Sequence, residues 1–257
     1  MVVLLLPGCT KQTASPVGST RVAASDSAKA PSPGAINNAS PNNATVGKSA
    51  WQSQVAALRD GQSDTLRVEG HPISASELTE LEQLDGPLEQ LLIEAGGVDD
   101  STMHHIAAVK SLVHLRLREC PISDAGLETL TAGDLLQLQI VNIPQGLITA
   151  RGIESLAQLP SLVQLRLGGR QVDDSAVSAI ARLSSLRSLH LIGPALTDNA
   201  LAELSVSPRL SSFYLDDCPL SDSAWEALFA AKPKLHVHID QQHHDRDPQS
   251  HEPRGAQ

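Results

Sequence analysis

Aromatic residues are nearly missing from this chain: two Trp, two Phe and one Tyr make up 2% of 257 residues. Any sizeable core must therefore be packed from Leu, Ile, Val and Ala. Cysteine is scarce too, three in all, which excludes a disulfide scaffold. Nineteen basic residues face 29 acidic ones, for a formal net charge of -10. That balance argues against nucleic acid, because counterion release needs clustered Lys and Arg. No run reaches the ~20 apolar residues of a membrane-spanning helix. Missing as well are the spacings that carry catalysis: there is no G-x-S-x-G, no H-E-x-x-H and no Gly-rich loop followed by Lys. Neither an enzyme nor a cofactor is expected.

What is present begins with two unusual ends. "MVVLLLPGC" resembles the end of a bacterial lipoprotein signal, in which the Cys is lipidated and becomes the mature N-terminus. Val2 to Leu6 is shorter than the roughly 7–15 apolar residues of a full signal core, so residues 1–9 are expected to be a truncated signal with Cys9 as the lipidation site. Residues 10–48 are Ser, Ala, Pro, Asn, Thr and Gly with few large apolar side chains. Such a composition cannot bury enough surface to offset chain entropy, and a disordered linker is expected. Residues 49–61, with Trp51, Val55 and Leu58 at helical spacing, are expected to form a capping helix. Residues 241–257 read as a disordered tail containing His.

Between these ends the chain repeats itself. "PISDAGLETL" from Pro121 returns as "ALTDNALAEL" from Ala195 and as "PLSDSAWEAL" from Pro219. Ahead of the copies stand L-x-x-L-x-L segments opening at Leu88, Leu112, Leu135, Leu162, Leu186 and Leu210, spaced 24, 23, 27, 24 and 24 residues apart. Alternating apolar and polar positions read as short strands. In "ISDAGLETL", Ser123 suits a helix N-cap, Asp124 the positive end of the helix dipole, and Leu127 and Leu130 a buried stripe. One strand-turn-helix unit cannot bury its own apolar face, so the copies must stack.

These residues resemble the leucine-rich repeat family. Cys120 and Cys218, three positions after the last strand Leu, make the closer resemblance its cysteine-containing, ribonuclease-inhibitor-like subclass. The resemblance implies an α/β leucine-rich repeat solenoid (horseshoe) over residues 62–240, of about seven repeats, with a parallel sheet on the concave face and short helices on the convex face. It further implies a non-catalytic protein-protein interaction scaffold. Joined to the Cys9 reading, this gives a protein anchored by lipid at the cell envelope, outside the cytoplasm, with no other membrane contact. The alternative is an intracellular, cytoplasmic adaptor similar to F-box-associated repeat proteins, although a low-complexity linker stands where an F-box would be.

The candidate binding surface follows from the strand pattern. Outward positions form a column of Arg67, Leu92, Arg116, Gln139, Arg166, His190, Tyr214 and His238, beside a second one that includes His114 and Gln164. The binding set is therefore Arg116, Arg166, His190, Tyr214, His114, Gln139 and Gln164. Arg forks pair with carboxylates and aromatics anchor interfaces, so the expected partner is a protein or peptide with an acidic stretch. His236, His238, His243, His244, Asp245 and Asp247 are read as a solvated end, with no metal site. The Asp-Asp pairs at 99–100 and 173–174 are read as helix caps.

Overall fold

The computed structural model describes residues 41–84 and 86–248. Cys9, the linker up to residue 40 and the tail from 249 lie outside the described residues. Eight parallel strands stand side by side in chain order: β1 (Thr65–Val68), β2 (Gln90–Ile93), β3 (His114–Leu117), β4 (Ile140–Ile143), β5 (Gln164–Gly168), β6 (Ser188–Ile192), β7 (Ser212–Asp216) and β8 (His236–Ile239). A two-residue β9 (Gln242–His243) pairs antiparallel with β8. Helix α1 (Pro41–Arg59) precedes the sheet. α2 (Ala75–Leu81), α3 (Met103–Ala107), α4 (Asp124–Thr131), α5 (Ala150–Ser155), α6 (Asp174–Ala181), α7 (Asp198–Ser205) and α8 (Asp222–Ala231) alternate with the strands, each packed against the next.

The core runs as one aliphatic seam between sheet and helices. Leu115, Leu117, Val141, Ile143, Leu165, Leu167, Leu189 and Leu191 point into it from the strands, all fully buried. Leu127, Leu130, Val177, Ile180, Leu201 and Leu204 meet them from the helices. Ser123, Thr149, Asp173, Thr197 and Ser221 each accept a backbone N–H at the start of their own helix. Such a cap contributes about 1 kcal/mol. Cys120 and Cys218 are free, buried thiols.

A further bond joins neighbouring repeats. The first helical Asp accepts both the N–H and the hydroxyl of the next repeat's cap: Asp124 from Thr149, Asp174 from Thr197 and Asp198 from Ser221. Asp100 does the same for Ser123. One joint departs, because Ala150 stands where the Asp would be and Asp173 where the hydroxyl would be.

The structure corrects the register at β4. The segment opening at Leu135 was expected to supply that strand, with Gln139 on the open face. Instead Arg116 pairs with Asn142, and Asn142 with Arg166, so "LQIVNI" from Leu138 carries the pattern. His114 to Ile140 is 26 residues against 24 for each of the next four steps, and the extra residues fall after α4, where Asp134 has φ +52.

Both edges of the sheet are partly covered. At β1, the Gln54 amide accepts from Arg67 N–H at 2.8 Å and donates to Arg67 C=O at 2.9 Å, standing in for a missing strand. Trp51, Val55 and Leu58 of α1 are buried against the first repeat. The helix starts at Pro41 rather than 49, with proline in the first turn, where its missing N–H costs nothing. At the far edge, residues 241–248 are not a free tail. Asp240 and Gln241, at φ +48 and +66, make a two-residue turn of the I′ kind that returns the chain along β8. Exposed edge N–H and C=O groups recruit other strands, and these devices occupy part of each edge.

Candidate functional site: the open face of the sheet

One face of the parallel sheet is covered by helices, and the other is open. Register places Arg67, Leu92, Arg116, Asn142, Arg166, His190, Tyr214 and His238 in one line across it. His114, Ile140 and Gln164 lie in the adjacent line. Six of the seven candidate residues are thus brought together. Gln139 is not; it is an exposed residue just before β4, and Asn142 takes its place.

Glu94 organises the charge at one end. Its carboxylate lies 3.3 Å from Arg116 Nε, 3.4 Å from Arg118 Nη1 and 3.8 Å from Arg67 Nη1. The Arg116 pair is close in distance but poorly aimed, and both atoms are buried without a hydrogen bond. Arg166 differs. It has no carboxylate within ion-pairing distance among the described residues, its Nε is buried without a hydrogen bond, and so is Oδ1 of neighbouring Asn142. Burial, then the like charges of Arg118 and Arg116, pull Arg166 below the usual guanidinium value, with Asp216 opposing. It stays protonated nonetheless, since a guanidinium does not lose its proton in proteins. Three guanidiniums thus share Glu94, Arg67 also pairing with Glu69, and Arg166 stands beside them without an ion pair, leaving a local positive excess on an acidic chain.

The other end is built from rings. His190 Nε2 lies 2.7 Å from Asp216 Oδ2, and the His190 ring is 5.5 Å from Tyr214. Tyr214 in turn is 5.0 Å from His238. His114 is held below the ordinary imidazole value by burial, then by Arg116 and Arg67.

Beyond Tyr214, the β8–β9 turn sets His243 directly opposite His238. His236 shares the face of His238, and Asp247, with a fully buried side chain, reaches both His236 and His243. A tight turn was not legible in "DQ", which lacks the Asn-Gly or Asp-Gly signature of such turns. His244 is turned away, against Trp225 and Phe229. His104 and His105 sit on α3, where His105 Nδ1 is 2.6 Å from Glu82.

No family model matches the sequence, and no curated protein does. Among solved structures, an internalin (inlF) from Listeria monocytogenes str. 4b F2365 is similar at 21% identity and TM-score 0.41, over 73% of this chain and 63% of that one. A TLR13–ssRNA13 complex is similar at 14% identity and TM-score 0.41, over 73% of this chain and 33% of that one. The chain therefore spans less than two thirds of either structure's length. Its own eight-strand parallel ladder, helices on one face and in-phase leucines make the fold an α/β leucine-rich repeat solenoid.

Proposed function

We propose that the chain is a non-catalytic protein-binding scaffold whose open sheet face takes an acidic stretch of a protein or peptide partner. The unpaired guanidinium of Arg166 carries this reading. A half-buried Arg beside Arg116 and Arg118 keeps its desolvation cost without the return of an ion pair, and an incoming carboxylate would supply it through a two-pronged hydrogen bond. Asn142 and Tyr214, in the same line, add a polar and an aromatic contact. Envelope tethering through Cys9 belongs to the same reading. The anchor proposed is a lipid because of the Cys in "LLLPGC"; no described helix is long and apolar enough to cross a membrane.

The test uses a peptide array graded in Asp and Glu content. The wild-type chain should prefer acidic peptides, and the Arg166→Gln variant, which breaks no ion pair, should lose much of that preference while melting at nearly the same temperature. Binding that ignores peptide charge would refute the proposal. Mass spectrometry of Cys9 in the native host tests the anchor separately. A bare thiol there would favour the intracellular adaptor.

A further inference from the structure

The C-terminal hairpin gathers three imidazoles and a carboxylate whose nearest donor atoms all lie within 4.8 Å of one another. None of the four depends on a loose loop alone. His236 and His238 sit two residues apart on β8, so the strand's alternation points both to one face. His243 is fixed opposite His238 by the ladder of β9. Asp247 has no exposed side-chain surface and is pinned by the Val237 N–H at 3.2 Å.

The donor atoms stand closer together than the ligands of a filled site would. Asp247 Oδ2 stands 2.8 Å from His236 Nδ1 and 3.0 Å from His243 Nδ1. Around a tetrahedral Zn2+ with bonds of ~2.1 Å, ligand atoms are about 3.4 Å apart. Small side-chain movements would open the cluster to that size. Ring centroids 4.7, 5.1 and 4.1 Å apart show all three imidazoles converging, rather than one pair meeting by chance. The donor set is selective as well: three nitrogens and one oxygen suit Zn2+, Ni2+ or Cu2+, and suit Ca2+ or Mg2+ poorly.

We propose that His236, His238, His243 and Asp247 bind a divalent transition-metal cation of the Zn2+ type. The site stands independently of the acidic-peptide reading, although it closes the same line of residues next to Tyr214. A cation there would lock β9 onto β8 and seal the sheet's last edge.

The test titrates the full-length, metal-stripped chain with Zn2+ by calorimetry and records the visible spectrum with Co2+. Expected are saturation at one equivalent and the intense absorption of tetrahedral Co2+. His238→Gln and His243→Gln should each weaken binding by at least about tenfold, since even outer-shell partners of a metal are worth 10–100-fold. His71→Gln, at the far end of the solenoid, should leave affinity unchanged. Circular dichroism checks that the variants fold. The absence of one-to-one saturation, a weak octahedral Co2+ spectrum, or wild-type affinity in both ligand variants would each overturn the proposal. The Co2+ spectrum of the wild-type chain decides the question even if a variant fails to fold.

Discussion

Asp124 and Thr149 are locked across a repeat joint: one carboxylate oxygen takes the Thr149 N–H at 2.8 Å and the other its hydroxyl at 2.7 Å. The pair explains why the second residue of "SDAGLETL" is Asp. The dipole of α4 favours the charge, and the next repeat supplies two donors for it. Hydrogen bonds to a charged group are worth about 1.5–3 kcal/mol. Asp124→Ala should therefore lower stability by about 2–3 kcal/mol in urea denaturation. A loss below ~0.5 kcal/mol would mean that stacking of the aliphatic seam alone holds the repeats.

The exception at the α5–α6 joint gives a paired prediction. Ala150 and Asp173 depart together, and each accounts for the other, because an Asp at 150 would face the carboxylate of Asp173. Ala150→Asp alone should be neutral or destabilising. Combined with Asp173→Thr, it should rebuild the bond seen at the other joints, with a coupling of about 1 kcal/mol in a double-mutant cycle. Simple additivity would show that the two positions do not meet.

Protonation should weaken the fold in two steps. Burial holds His114 below the ordinary imidazole value. As pH falls through about 6.5 the unfolded chain takes up that proton first, so stability drops from there toward the lowered folded value. The Ser101 hydroxyl at Asp99, the Ser175 hydroxyl at Asp173 and the Ser221 N–H at Asp198 hold these carboxyls low. Their contribution is complete above about 3.9 and is lost as pH falls through the folded values. Melting temperatures measured from pH 8 to pH 2 should show both declines, with His114→Gln shallower in the upper one. An identical slope in that variant would contradict its burial.

The sequence made the repeat legible because period and chemistry agree there. Leucines at strand spacing, caps such as Ser123 and Ser221, and stripes such as Leu127 and Leu130 each bury or pair as their spacing demands. The open face was legible by the same parity. Its pairing was not, since Glu94 meets Arg67, Arg116 and Arg118 from different strands, and no local pattern encodes that. The tail was misread for a related reason. Histidines and Asp247 have no apolar period, and their order comes from pairing with β8.

The β4 register failed for another cause, and it yields the sharpest test. "LLQLQI" from Leu135 and "LQIVNI" from Leu138 overlap, and both satisfy an alternating apolar pattern, so spacing alone cannot choose. In the first, Ile140 points into the core and Ile143 lies beyond the strand. The structure has the reverse: Ile143 is fully buried between Leu117 and Leu167, while Ile140 faces outward beside His114 and Gln164. Removing a buried Ile side chain costs about 2–5 kcal/mol through transfer and cavity terms. Ile143→Ala should fall in that range, as should Leu165→Ala one strand on, and Ile140→Ala should cost well under half as much. If the order were inverted, the strand would begin three residues earlier, Gln139 would return to the open face, and Asn142 would lose its place beside Arg166.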